Sequence, residues 1–233
     1  GSYRLADDPG SAQEEIARMQ QSPALAATLA CLRSLETVTL GDTRMTITPR
    51  AGRLSSPDRA AAGGAIGVRV AIGPDVVEMN GHEARLPDGA AMALKTRDDW
   101  PTTFNIQRQE EKEEAEPHGA VLIARRPVTG TDGVLRIHWA AYLPVGTPLH
   151  EEMRDGLRHD VDVLLHGHFF PRSDRTAIEF AEDIRGHWNA ALRDEATLPL
   201  LLPALAGLLP SLGDTAEQRA LVRAIEAWPA WAA

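Results

Sequence analysis

The stretch from Asp160 to Arg175 places the tightest limits on what this chain can fold into. Apolar and polar residues alternate up to Gly167, which is typical of a β-strand, and two aromatic residues and a proline then predict a tight turn. Arg172 and Arg175 stand on either side of a Ser-Asp pair in that turn. Because a rigid turn holds a guanidinium group in a fixed place, the stretch predicts a binding site for a carboxylate or phosphate group.

The sequence also leaves open an ordinary alternative for these arginines. They could pair with acidic residues nearby in the chain rather than with a ligand, and the candidates are Asp174, Glu179 and Asp183. Arg175 could also stand at the start of a helix, where exposed backbone N–H groups and a guanidinium group converge on one anion.

The bulk composition describes a folded chain with an acidic surface. The 233 residues are 43% hydrophobic, and the formal net charge is −9. These values favour one large domain or two small ones, and they argue against general binding to nucleic acids or anionic membranes. The single cysteine, Cys31, excludes a disulfide framework and a cysteine-rich zinc site. No apolar run is long enough to span a membrane, so the sequence predicts a cytoplasmic protein.

The order of patterns along the chain predicts an α+β (mixed α/β) fold, with a strand-rich central sheet and helices at both ends. Residues 1–24 are expected to form an N-terminal helix and linker, 25–190 a mixed α/β domain, and 191–233 a C-terminal helical segment. Consecutive strands are expected to be antiparallel or mixed, because the chain lacks a regular series of strand-helix-strand units. The first two residues, Gly1-Ser2, resemble the remnant of an expression tag, so we expect the chain to be a piece of a longer protein.

Several local patterns make predictions that a structure can check. Gly41-Asp42 and Asn80-Gly81 are each expected to form a hairpin turn, and residues 49–64 a loop. Residues 149–158 are expected to form a short helix, and Gly213-Asp214 to begin the last helix.

Histidine is the one catalytic residue type in good supply. The chain has no Gly-rich phosphate loop, dinucleotide fingerprint, nucleophile elbow or His-Glu-x-x-His zinc motif. His166 and His168 share one face of the expected strand with Asp160 and Asp162, and such a set could ligate a metal ion. The simpler interpretation, which we favour, is that this polar face is the exposed side of an edge strand, so we assign no metal site. The core-facing side is then formed by Val161, Val163 and Leu165.

Several motifs together resemble the region that follows the ATPase domain in sacsin-like proteins. His166-Gly-His-Phe-Phe-Pro-Arg-Ser-Asp-Arg175 and the later His187-Trp-Asn189 match a strand end, a turn with serine and arginine, and a Trp-Asn pair that opens a helix. Trp139-Ala-Ala-Tyr-Leu-Pro-Val-Gly146 is similar to a strand that ends in Leu-Pro-Leu in those proteins, and Leu29-Ala-Cys-Leu-Arg-Ser-Leu35 is similar to an earlier helix. The resemblance runs in order along residues 25–209.

This resemblance implies a place in the GHKL group of ATPases, which includes the ninety-kilodalton heat-shock chaperone. In that group a middle domain of mixed α/β fold follows the ATPase domain and supplies a basic residue to the γ-phosphate. Carried over by motif, that catalytic residue is Arg175, with Arg172 as the alternative and Ser173, two residues before Arg175, as a nucleotide contact. ATP and Mg²⁺ are then bound by the preceding ATPase domain, and this chain itself holds no cofactor and is not an enzyme on its own.

The implied function is that of a non-catalytic part of a bacterial, chaperone-like ATPase, which transmits the ATP state. The expected partners are its own N-terminal ATPase domain and protein clients, and a homodimer is compatible with the sequence. Two alternatives stay open: a metal-dependent hydrolase or nuclease that uses the Asp/His face of the strand, and a protein-interaction module. The surface expected for such a module is the C-terminal helix, where Trp231 is harder to bury than Trp228.

Overall fold

Among the residues that the structure describes, nine strands form one mixed β-sheet. The computed structural model describes Leu29 and residues 36–40, 42–52, 64–73, 75–96, 118–128, 130, 132–141, 143–145, 147–174 and 176–228. The strands are β1 (Thr37–Leu40), β2 (Thr43–Gly52), β3 (Gly64–Ile72), β4 (Asp75–Arg85), β5 (His118–Pro127), β6 (Asp132–Ala141), β7 (Leu143–Pro144), β8 (His150–Asp155) and β9 (His159–Gly167).

Several α-helices accompany the sheet in the described ranges: α1 (Asp88–Lys95), α2 (Ile184–Ala191), α3 (Leu201–Leu208) and α4 (Thr215–Glu226). A π-helical turn at Leu192–Thr197 and a 3-10 turn at Leu198–Leu200 join α2 to α3, and another 3-10 turn at Leu209–Ser211 follows α3. The start predicted for the last helix at Gly213-Asp214 is confirmed, because the Asp214 carboxylate accepts the Ala216 N–H in the N-cap position. Within the described ranges, none of the helices is long and apolar enough to cross a membrane.

The order of the strands puts the last one inside the sheet. Neighbours run β1-β2-β3-β4-β5-β9-β6, and β7 and β8 both pair with the outer edge of β6. Strands β1 to β5 pair antiparallel in chain order, whereas β9 is antiparallel to β5 and parallel to β6. The predicted α+β fold with antiparallel or mixed strands is therefore confirmed.

Both faces of the central strands are buried. On one face, Val121 and Val163 belong to a cluster that packs under α3 and α4. On the other face, Leu122 and Leu164 belong to a cluster that also contains Leu29. Leu29 is helical, as the sequence predicted, while residues 1–24 lie outside the described ranges. The division of the chain at residues 24 and 190 stays a prediction.

The prediction of a hairpin turn at Asn80-Gly81 is wrong. Both residues lie inside β4, which pairs with β3 on one side and with β5 on the other. The glycine serves a different purpose, because a Cβ atom at Gly81 would overlap the Val121 carbonyl oxygen of the adjacent strand. The actual turn between β3 and β4 contains Gly73, whose φ of 57° favours glycine.

The sheet corrects two further local predictions and confirms one. Residues 149–158 form no helix, because His150–Asp155 is strand β8, whose side chains alternate between half-buried and exposed along the edge of β6. The loop predicted at 49–64 begins later, since β2 continues to Gly52 through a bulge. The hairpin predicted at Gly41-Asp42 is confirmed by the pairing of Leu40 with Thr43.

Candidate functional site

The turn that carries the predicted arginines leaves the end of β9 and folds back on itself. Pro171 and Ile178 form an isolated antiparallel bridge, and the Arg172 N–H donates to the Ala177 carbonyl oxygen at 2.9 Å. Residues 172–174 and 176 are exposed at the tip. Arg175 itself lies outside the described residues. The predicted tight turn is therefore a short loop with a paired base.

Asp174 stiffens the tip of this turn. Its Oδ1 atom accepts hydrogen bonds from the Thr176 N–H at 3.0 Å and from the Thr176 hydroxyl at 2.8 Å. These two bonds hold the pKa of the Asp174 carboxyl below its ordinary value, with a smaller contribution from the positive charge of Arg172. At neutral pH the carboxylate is therefore charged and engaged within its own turn.

Asn189 ties the base of the turn to helix α2. Its side-chain oxygen accepts the Phe170 N–H at 2.8 Å, and its amide nitrogen donates to the carbonyl oxygens of Phe170 at 2.9 Å and Glu179 at 2.7 Å. The side chain is fully buried, so these bonds form away from water, where losing them is costly. One residue thus holds both ends of the loop from 170 to 179.

Trp188 fixes the chain just before this loop. Its indole N–H donates to the His168 carbonyl oxygen at 2.8 Å, and its ring lies edge-on to Phe170 with the centroids 5.8 Å apart. Helix α2, which carries both Trp188 and Asn189, begins at Asp183, whose carboxylate accepts the Gly186 N–H at 2.9 Å. The Trp-Asn pair of the sequence motif therefore has a structural role, which is to hold the arginine turn at the end of the sheet.

Arg172 reaches solvent with a loose acidic partner. Its side chain is 54% exposed, and its Nη2 atom lies 3.8 Å from Glu179 Oε1, which is beyond hydrogen-bond length. The other two acids that the sequence offered are engaged elsewhere, since Asp174 binds Thr176 and Asp183 caps α2. A contact of this length between two exposed groups adds little stability. The guanidinium group of Arg172 is therefore available to an anion at low cost.

The polar face of β9 does not face solvent, which corrects the interpretation of this strand as an exposed edge. β9 lies between β5 and β6, so it is a central strand, and Asp162 and His166 are buried. The opposite face was predicted correctly, since its three apolar residues belong to the core under α3 and α4; they are Val161, Val163 and Leu165. A strand with charged residues at alternate positions is typically an edge strand whose charged side chains lie in water. Here the strand is central, and its charged side chains can be buried because residues of neighbouring strands pair with them.

Each carboxylate on this face has an arginine from a neighbouring strand. Asp160 accepts a hydrogen bond from Arg126 of β5 at 3.2 Å. Asp162 lies 3.4 Å from His138 Nε2 and 3.9 Å from Arg136 Nη1, both on β6. Sequence patterns alone carry no signal for these partners beyond their residue types. They are brought to β9 by the strand register.

The two histidines at the end of β9 meet a third one that the sequence interpretation missed. The ring centroid of His118, at the start of β5, lies 3.9 Å from that of His168 and 6.2 Å from that of His166. Asp162 and His166 are four residues apart on one strand, about 13 Å, so the carboxylates and imidazoles of the suggested metal set do not converge. Among the described residues, no three His, Cys, Asp or Glu side chains are placed to hold a metal ion.

Removing the positive charge beside Asp162 should destabilise the sheet. Arg136→Met is expected to lower the free energy of unfolding by about 2 kcal/mol, because it leaves a buried carboxylate with His138 as its nearest partner. The cost stays moderate because Arg136 Nη1 lies 3.9 Å from the Asp162 carboxylate, which is beyond hydrogen-bond length. Urea denaturation of the purified chain measures this change.

The matched control for that measurement is the double variant Arg136→Met/Asp162→Leu. It removes both charges, so it should recover at least half of the stability lost by Arg136→Met. If the stability lost in the double variant equals the sum of the losses from the two single substitutions, the two side chains are not coupled.

Comparisons with known proteins identify no family for this chain. Protein-family models, curated proteins and solved structures were all compared with the chain, and none of them matches. The resemblance to sacsin-like proteins therefore depends on the sequence motifs alone.

Proposed function

We propose that this chain is the non-catalytic region that follows the ATPase domain in a sacsin-like protein of the GHKL group, where it supplies an arginine to the γ-phosphate of ATP. The observation that supports this best is the turn between residues 170 and 179, which is held at its base by Asn189 and whose described tip residues, 172–174 and 176, are exposed. An arginine delivered from a second domain stabilises the developing phosphate charge only if its position is set before the reaction. A loop with a paired base meets that requirement better than a free loop.

The charges of the turn suit an anionic ligand. Arg172 is 3.8 Å from Glu179, so a phosphate oxygen can replace this contact without breaking a short ion pair. The Asp174 carboxylate stays negatively charged, but two hydrogen bonds from Thr176 stabilise that charge and hold the group within its own turn. The described part of the turn therefore presents a cation whose neighbouring acids are weakly placed or occupied.

In such a protein the chain reads the nucleotide state. The contact between arginine and γ-phosphate draws the ATPase domain and this chain together, and hydrolysis removes it. The family motif assigns the contact to Arg175, with Ser173 as a further nucleotide contact and Arg172 as the alternative arginine. The sheet behind the turn carries the resulting movement to the rest of the protein.

The isolated chain is expected not to hydrolyse ATP. The 233-residue chain and its Arg175→Ala variant are assayed side by side for phosphate release in the presence of ATP and Mg²⁺. Both should stay at the background of the buffer, because the ATPase domain that binds the nucleotide is not part of this chain. Turnover by the parent chain above that of the variant contradicts the proposal, since it would place a complete ATPase site within these residues.

In the longer protein, loss of the arginine should slow hydrolysis without loss of ATP binding. With the chain joined to its ATPase domain, Arg175→Ala is expected to lower kcat at least about 100-fold and to leave the Kd for ATP within about threefold. Arg172→Ala tests the alternative arginine. Arg158→Ala is the control, because it removes an exposed arginine next to the opposite end of β9. An unchanged kcat in both Arg175→Ala and Arg172→Ala rules the proposal out.

A further inference from the structure

Helix α3 has an apolar outer face. The segment Leu198–Leu212 contains fifteen residues and none of them is charged. Its inner residues pack on the sheet, and the outward side chains of α3 are also apolar: Leu202, Pro203, Ala206 and Gly207 are exposed, with Leu202 at 68%. A surface helix normally turns a polar face to water, and a helix that is apolar all round is normally buried. The outer face of α3 therefore has the character of a covered surface.

An open apolar groove lies directly beside this face. It runs between α3 and α4, has a volume of about 640 Å³, and has one charged residue, Glu226, among its lining. The apolar lining residues are Leu202, Leu205, Ala206, Leu209, Val222 and Ile225. Leu202 is thus both a strongly exposed side chain of α3 and a wall of the adjacent groove. A protruding apolar side chain next to a hollow of the same chemistry makes the surface self-complementary.

We infer that a second copy of this chain covers the α3/α4 groove in a two-fold symmetric dimer. A two-fold axis next to α3 places Leu202 of each copy in the groove of the other, which buries both side chains in one operation. Ala206, which follows Leu202 by about one turn and also lines the groove, has a small side chain and lets the two helices approach closely.

The charges along α4 favour a copy of the same surface over a partner of one sign. Arg219, Val222 and Glu226 follow one another at spacings of three and four residues, so they share the groove side of α4, and both charged residues are exposed. When two such helices run antiparallel about a two-fold axis, Arg219 of one copy meets Glu226 of the other, and the pair forms twice. A groove edge that carries both Arg219 and Glu226 is therefore complementary to a second copy of itself. A partner with charges of one sign would be repelled by one of these two residues.

Sedimentation equilibrium of the full 233-residue chain tests this dimer. Because the contact involves two short helices, we expect a monomer–dimer equilibrium with a Kd on the order of 10 µM. Leu202→Glu should weaken the dimer at least about tenfold, since it places a carboxylate in each apolar groove. Met153→Glu is the matched control, because Met153 is 70% exposed on the edge strand β8, and it should leave the Kd unchanged.

A charge exchange tests the antiparallel arrangement without touching the apolar residues. Arg219→Glu and Glu226→Arg should each weaken the dimer, because each creates two like-charge contacts. The double variant Arg219→Glu/Glu226→Arg should restore it, because the pairs re-form with their signs reversed. A monomer at all concentrations, growth beyond the dimer, or a double variant weaker than either single one would overturn the inference.

Discussion

Asn189→Ala is expected to lower the free energy of unfolding by about 3 kcal/mol or more. The substitution removes three hydrogen bonds, which the buried side chain makes to the Phe170 N–H and to the carbonyl oxygens of Phe170 and Glu179. These backbone groups would stay in a site from which water is largely excluded, and an unsatisfied buried polar group costs more than the net value of its bond. Urea denaturation measures the change in stability.

Hydrogen exchange separates loss of the loop from loss of the whole fold. The Phe170 N–H, which donates to Asn189 in the parent chain, should exchange much faster in Asn189→Ala, while amides of β5 and β9 follow the global stability. His187→Ala is the control, because it shortens a half-buried side chain on the same helix. Equal effects of the two substitutions on the urea midpoint would show that the loop is held by something other than Asn189.

Gly81→Ala is expected to cost at least about 3 kcal/mol, and the variant is expected to lose most of its cooperative unfolding transition. The added methyl group would overlap the Val121 carbonyl oxygen and lie 3.0 Å from the Leu122 Cα atom. These are backbone atoms of a strand that is paired on both sides, so they cannot move aside without breaking the register of β4 with β5. Circular dichroism during heating reports the loss.

Gly64→Ala supplies the matched control for this position. Gly64 lies in β3, the strand on the other side of β4, where it pairs with Glu83, and it has nothing within 4 Å of the place where a Cβ atom would stand. Alanine there should raise the stability slightly, by about 0.5 kcal/mol, because it restricts the unfolded chain. If Gly81→Ala melts within a few degrees of Gly64→Ala, the close approach of β4 and β5 does not require glycine at position 81.

Local structure could be predicted from the sequence where a residue's own chemistry decides it. Asp214 begins α4 because its carboxylate caps the next N–H groups, and Val163 faces the core because strand side chains alternate. Asn80-Gly81 shows the limit of such patterns. The same two residues suit a hairpin turn and a strand that must approach another backbone closely, and only the distant Val121 decides between them.

The candidate site divides in the same way between short and long range. The turn and the Asn189 that holds it are 19 residues apart at most, so both lie within one short segment of the chain. The prediction that the Trp-Asn pair opens a helix is wrong, because Trp188 and Asn189 lie inside α2, which begins at Ile184 with Asp183 as its N-cap. The partners of Asp162 lie on another strand, 24 residues away in the case of His138, and no spacing rule brings them together. The insertion of β9 between β5 and β6 is a property of the topology, which periodicity does not encode, and it turned an expected exposed face into a buried one.

The place of β9 in the sheet also fixes when the sheet can be completed. During synthesis β5 and β6 emerge first, yet they are not neighbours, and each keeps one unpaired edge until residues 159–167 arrive between them. Pairing over such sequence separations is slow, because the entropy of closing the chain is lost before the contacts form. A chain cut before His159 keeps both edges open and offers them to other copies, which is a route to aggregation. The strand that presents the arginine turn is thus also the one that closes the fold.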